Sequence, residues 1–184
     1  MKASHRKWVL MGVCAVFLGA GTVFLLRVTS RSEAPAAAPR KAAAVAENPE
    51  HELKALAMEL EKKPGHTPIL MRMAQLEHDK GRLDDAAGHL RMAAQNEPSN
   101  QDVHLELGRV LYEKGDVDGA ISETEKVLSL NPSQVDALYN LGAIYANRGN
   151  PQQARSYWIK AVTAEPAADS AKKARDALAR LGGS

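Results

Sequence analysis

Several residue types recur along this chain at a spacing of 34 positions. Gly81, Gly115 and Gly149 form one series, each directly after a base: Lys80, Lys114 and Arg148. Ala86, Ala120 and Ala154 form a second. Pro98, Pro132 and Pro166 form a third, and Pro64 extends it one step towards the N-terminus. A fixed period of this length constrains the fold more than any local motif. It requires one supersecondary unit copied along the chain, each copy burying its apolar face against its neighbours.

Within a copy the apolar spacing is helical. Val103, Leu107, Val110 and Leu111 share one helix face. Gly115 follows, where a left-handed residue terminates a helix. Asp116 is placed to cap a second helix carrying Ala120, Ile121, Val127, Leu128 and Leu130. Asn131-Pro132 stops that helix, because proline lacks an amide hydrogen and disfavours helix in the residue before it. The third copy repeats the scheme with Leu138, Leu141, Ile144 and Tyr145, then Ala154, Trp158, Ala161 and Val162. Ala120 and Ala154 are small where two helices must approach closely. The expected fold is all-α, with helix–turn–helix units at 67–100, 101–134 and 135–168. A leading helix is expected within 48–66, starting at Asn48-Pro49 and carrying Leu53, Leu56, Ala57 and Leu60 on one face. A closing helix is expected within 169–184, carrying Ala174, Ala177, Leu178 and Leu181 and a polar outer side that shields the last apolar surface.

The third copy reads Leu138-x2-Leu141-Gly142-x2-Tyr145, Ala154-x3-Trp158 and Pro166. The second reads His104-x2-Leu107-Gly108-x2-Leu111, Ala120-x3-Thr124 and Pro132. The first reads Leu70-x2-Met73-Ala74-x2-Glu77, Ala86-x3-Leu90 and Pro98. In these residues the chain resembles the tetratricopeptide repeat (TPR) family, whose pattern is Trp-x2-Leu-Gly-x2-Tyr, then Ala-x3-Phe, then Pro. Glu77 and Thr124 depart from that pattern.

The resemblance implies a solenoid whose concave face is lined by the first helix of each unit and whose groove takes a peptide or a partner helix. The groove residues it implies are Arg72, Gln75 and Asp79 in the first unit. The second unit supplies Asp102, Glu106, Arg109, Tyr112 and Glu113, and the third Tyr139, Asn140 and Asn147. Arg109 and Tyr112 stand three apart on one helix face and are the residue types that most often anchor interfaces. Some members of the family hold a chaperone's C-terminal carboxylate in a Lys/Asn/Arg clamp. Here the matching positions hold Met71, Gln75, Glu106, Asp136 and Asn140, so the clamp is absent and Glu106 would repel a carboxylate.

Ahead of the repeats, Trp8 to Leu26 is a run of nineteen residues without a charge. As a helix it would span roughly 28 Å, close to the hydrocarbon thickness of a bilayer. It exceeds the usual apolar region of a cleavable signal, so a signal-anchor helix over 8–26 is the expectation. Lys2, Arg6 and Lys7 precede it, which makes residues 1–7 a cytoplasmic tail and places the repeats outside the cytoplasm, on a single-pass inner-membrane protein. Arg27, Arg31, Arg40 and Lys41 nearly balance that count on the far side. Two alternatives therefore stay open: an organelle-surface receptor with cytosolic repeats, and a secreted soluble module cleaved near Val28-Thr29-Ser30. Residues 27–47, rich in Ala and Pro, read as a tether. One anchor, a linker, a leading helix, three units and a closing helix is an architecture similar to TPR accessory subunits of cytochrome c maturation or of the export translocon.

Charge and reactive side chains exclude other functions. Residues 1–47 hold seven Lys/Arg and two Asp/Glu, whereas 48–184 hold seventeen and twenty. The repeat region is thus mildly acidic, against the clustered basic face of a nucleic-acid binder. The lone cysteine, Cys14, lies in the apolar run and has no partner for a disulfide or a metal pair. None of His5, His51, His66, His78, His89 and His104 belongs to a metal-binding spacing. Glu77-His78-Asp79 are successive on a helix and point in different directions. His104 occupies an apolar repeat position and is expected to be packed. The expectation is no enzyme, no cofactor, no metal and no small-molecule substrate. The expected partners are another protein and, through one helix, a membrane.

Overall fold

The computed structural model describes residues 48–182. The expected tail (1–7), membrane helix (8–26) and linker (27–47) lie outside the described residues. Among the described residues there are eight helices and no strand. They are α1 (Pro49–Lys62), α2 (Thr67–Asp79), α3 (Leu83–Asn96), α4 (Gln101–Glu113), α5 (Val117–Leu130), α6 (Val135–Asn147), α7 (Pro151–Ala164) and α8 (Asp169–Gly182). Each helix packs on the next, and α6 also touches α8. The pairs α2/α3, α4/α5 and α6/α7 are the repeating hairpins.

The three hairpin turns are built identically. Gly81, Gly115 and Gly149 have φ of 72°, 87° and 74°. In each turn the residue after the glycine donates its amide to a carbonyl five positions back: Arg82 to Glu77, Asp116 to Leu111 and Asn150 to Tyr145, all at 2.9 Å. The glycine amide donates three positions back, to His78, Tyr112 and Ala146. These two bonds satisfy the last carbonyls of the first helix and require a left-handed residue between them. A side chain at that position costs about 1–2 kcal/mol, which is why the glycine recurs. The second helix then starts at once. Asp116 accepts from Gly119 N at 3.0 Å, and Asn150 from Gln153 N at 3.2 Å. Between units, Asn100 and Gln134 cap α4 and α6, and Asn48 caps α1.

In the second and third hairpins the helices meet through a glycine, and the first has Ala74 at that position. A Cβ on Gly142 would collide with the indole of Trp158. That ring lies flat enough on α6 for its Nε1 to donate to the Tyr139 carbonyl at 3.2 Å. A Cβ on Gly108 would sit 2.8 Å from Thr124 Oγ1 and 3.3 Å from the Ala120 carbonyl. Ala120 and Ala154 are fully buried at the same crossings.

Both departures from the repeat pattern are packed, each by a device of its own. The Thr124 hydroxyl donates to the Ala120 carbonyl at 2.7 Å, so a small polar residue sits in the core without an unpaired group. Glu77 is buried but pairs with Arg82, which also reaches Glu50 at 3.1 Å. His104 is buried with Nδ1 at 2.7 Å from the Glu123 carboxylate and Nε2 at 2.9 Å from the Pro98 carbonyl.

Two expected core positions lie outside the core. Leu130, the last residue of α5, is 44% exposed. Ala57 is exposed because α1 packs chiefly on α2 and buries a narrower stripe, Leu53 fully and Leu56 and Leu60 in part. At the other end, α8 buries Ala171 and Ala174, while Ala177, Leu178 and Leu181 are half-buried.

Adjacent units are also tied by a periodic set of ion pairs. Glu50 meets Lys80, Asp84 meets Lys114, and Asp118 meets Arg148. Asp84 and Asp118 lie in the first turn of one unit's second helix, and Glu50 in the first turn of α1. Each base lies at the C-terminal end of the next unit's first helix. Both charges therefore sit at the helix end whose dipole favours them. Exposed pairs of this kind add little stability.

The Gly142–Trp158 contact yields a prediction. Gly142→Ala should cost about 1–3 kcal/mol by overpacking, and Trp158→Ala about 3–5 kcal/mol by opening a cavity. With the indole gone, the extra methyl has room, so Gly142→Ala on the Trp158→Ala background should be nearly neutral. Urea unfolding of the four variants measures this cycle. Additive losses would mean that the methyl meets something other than the indole.

Candidate peptide-binding groove

The first helices α2, α4 and α6 share one face of the array, and their outward positions form two clefts. The larger, about 340 Å³, lies between α2 and α4. Arg72, Gln75 and His78 wall it on one side and Glu106 and Arg109 on the other, over a floor of Ala74, Leu90 and Val110. The smaller, about 130 Å³, lies between α4 and α6 and is lined by Arg109, Tyr112, Asn140, Ala143 and Ile144, with Gly108 and Thr124 beneath. Arg109 is common to both and forms the ridge between them.

The Arg109 guanidinium is held by its own helix. Nε and Nη2 donate to Glu106 Oε2 at 3.0 and 2.7 Å, and Nη1 donates to Glu113 Oε1 at 2.8 Å. His78 reaches across from α2, its Nε2 2.6 Å from Glu113 Oε2 and 2.9 Å from Arg109 Nη1. One ring nitrogen serves one partner at a time: protonated it donates to Glu113, bare it accepts from Arg109. Burial pushes the Arg109 pKa down, but the two carboxylates more than offset this and hold it above its ordinary value. Burial pushes Glu113 up, and His78 with Arg109 outweighs it, leaving Glu113 below the usual carboxylate range.

The other groove residues divide by what they touch. Arg72 is committed to Glu52 of α1 through two bonds of 2.7 and 3.0 Å, which ties the leading helix to the groove wall. Asn147 donates to the Tyr112 hydroxyl. Tyr139 packs against the core around Trp158. Asp79 is exposed, 3.5 Å from His78 Nδ1, and Asp102 is exposed with no ionic partner among the described residues. The carboxamides of Gln75 and Asn140 line one cleft each and make no hydrogen bond among the described residues.

Of the residues that the sequence pointed to, the structure brings Arg72, Gln75, Glu106 and Arg109 to the first cleft, and Arg109, Tyr112 and Asn140 to the second. Asp79, Asp102, Glu113, Tyr139 and Asn147 line neither. His78 and Ala143 line the clefts without having been singled out. The period itself carries the signal for both. His78 shares its repeat position with Tyr112, and Ala143 shares its position with Gln75 and Arg109. Among the described residues, no group of His, Cys, Asp and Glu is placed to hold a metal ion. No helix among them is long and apolar enough to cross a membrane.

These features define a class: stacked helical hairpins that present their first helices to one shared face, a protein-interaction scaffold. Models of the tetratricopeptide repeat match residues 71–128 and 135–168, and a further TPR model matches 108–149. The stretch they cover belongs to the tetratricopeptide repeat family. No curated protein matches the sequence. Among solved structures, the chain is similar to MamA, at 19% identity over 77% of this chain and 85% of that one, with a TM-score of 0.62. It is similar to YrrB, described as a TPR protein with an unusual peptide-binding site, at 20% identity over 74% and 70%, with a TM-score of 0.64. It is also similar to the first TPR of Spaghetti (RPAP3) bound to the HSP90 peptide SRMEEVD, at 16% identity over 64% and 90%, with a TM-score of 0.58. At these identities the likeness is one of fold.

The depressed Glu113 pKa has a measurable consequence. A carboxylate whose folded pKa is lowered stabilises the fold above its ordinary titration range, and the contribution is lost as pH falls through the lowered value. The melting temperature of Glu113→Gln should therefore lie below wild type at neutral pH, and the gap should narrow as pH falls through the lowered Glu113 pKa, below the usual carboxylate range. A gap that stays constant across that range would show that Arg109 and His78 do not hold Glu113 ionised.

Proposed function

We propose that this chain is a membrane-anchored adaptor that binds a segment of another protein in the groove formed by α2, α4 and α6. The observation that carries this reading is the pair of clefts meeting at Arg109. They are open, mixed in polarity and lined by side chains from three successive units. A surface of that kind suits a chain segment laid across the units better than a small molecule enclosed in a pocket. The solved TPR structures with bound or described peptide sites support the same use of the fold. The uncharged run at 8–26 supports an inner-membrane anchor, with the tether at 27–47 holding the repeats outside the cytoplasm. In that position the adaptor keeps a client close to the bilayer while an envelope complex is assembled, in cytochrome c maturation or beside the export machinery.

Two experiments test it. Asn140→Arg fills the smaller cleft with a long charged side chain from an exposed edge. Client capture by the detergent-extracted full chain should drop by about tenfold or more, with the melting temperature within a few degrees of wild type. Glu125→Arg, on the exposed side of α5, should capture normally. Equal capture by wild type and Asn140→Arg would remove the groove from the mechanism. Separately, protease added to intact spheroplasts should digest the repeats and leave a small protected N-terminal fragment. Full protection of the repeats would reverse the orientation.

A further inference from the structure

The groove's charges and its idle hydrogen-bonding groups together specify a ligand. Both arginines on this face are spent inside the protein, Arg72 on Glu52 and Arg109 on Glu106 and Glu113. The acids are not matched in number. Arg109, with His78 when protonated, faces the carboxylates of Glu106 and Glu113. Asp79 adds a third one turn beyond Gln75, and Asp102 a fourth one turn before Glu106 on the same helix face. The face thus carries a surplus of negative charge, and Asp102 has no ionic partner among the described residues.

Gln75 and Asn140 add a second, independent constraint. Each carboxamide offers a donor and an acceptor, and neither is used among the described residues. An extended backbone exposes N–H and C=O groups to such a pair, whereas a helix spends them internally. Gln75 stands on α2 and Asn140 on α6, two helix spacings of roughly 8–10 Å apart, a span that about six extended residues cover.

We propose that the groove takes an extended peptide of about six residues bearing lysine or arginine, its backbone read by Gln75 and Asn140 and its positive side chains by the surplus carboxylates. This rests on the groove reading above and narrows it: a helix and an acidic tail are both excluded. The absence of basic clamp residues at Met71, Glu106 and Asp136 agrees with that polarity.

Fluorescence polarisation with the full chain in detergent tests the proposal. The probes are a labelled decapeptide of alternating Lys and Ala, its Glu/Ala counterpart, and the peptide SRMEEVD. The Lys/Ala peptide should bind, and the two acidic probes should bind at least about tenfold more weakly. Asp79→Asn with Asp102→Asn should weaken Lys/Ala binding by roughly fivefold and flatten its salt dependence. Gln75→Ala with Asn140→Ala should weaken it with the salt dependence unchanged. Glu125→Gln with Asp176→Asn, which removes two exposed carboxylates off this face, should bind like wild type. Equal binding of all three probes, or equal losses in the groove pair and the control pair, would overturn the inference. Failure of the underlying reading looks different. If Asn140→Arg abolishes client capture while Lys and Glu probes bind alike, only the charge preference falls. If Asn140→Arg captures client and binds the Lys/Ala probe like wild type, the groove itself falls.

Discussion

The close crossing inside each hairpin is the contact on which the rest depends. Trp158 lies over Gly142, and Thr124 and Ala120 close on Gly108. Only where one helix lacks a Cβ can the other come near enough to place a bulky or hydrogen-bonded side chain flat against its backbone. That approach sets the angle of the hairpin. The angle sets how one hairpin stacks on the next, and stacking brings α2, α4 and α6 to a common face. The smaller cleft has Gly108 beneath it, and the larger is floored by Ala74 at the same repeat position.

The ridge at Arg109 shows how such a face acquires chemical character. An arginine among peptide-binding positions looks like an anchor waiting for a partner. Here Glu106 and Glu113 hold the guanidinium at both ends, and His78 closes the arrangement from the neighbouring unit. The side chain is a fixed wall, and the charge it leaves to the surroundings is negative. Arg72 follows the same logic against Glu52. What stays available is the neutral, bidirectional hydrogen bonding of Gln75 and Asn140.

Much of this was legible in the sequence because periodic features are local. A glycine after a base, an aspartate or asparagine after the glycine in two of the three turns, and an alanine at a fixed offset each act within one turn of chain. Turns, caps and the small residues at the crossings can be read from them. Part of what escaped reading depends on a partner in another unit. The bases Lys80, Lys114 and Arg148 were visible, but the acids that meet them, Glu50, Asp84 and Asp118, sit 30 positions earlier on a different helix. Glu77 and Thr124 looked like faults in the pattern. Arg82 neutralises the first, and the second bonds to its own helix's backbone. Arg72 is consumed by Glu52 on another helix, whereas the partners of Arg109, Glu106 and Glu113, stand three and four positions away on its own helix.

The rungs between units have one further consequence. Acid, base, turn glycine and crossing alanine all keep the same frame, so any rung's acid matches any rung's base. Excision of residues 101–134 would bring Asp84 opposite Arg148 and set α3 against α6 with every turn intact. A chain built this way can lose or duplicate a whole unit by a single in-frame genetic event and still close its interfaces. The number of units, and with it the length of segment the face can span, is then a quantity that changes in steps while the architecture stays the same.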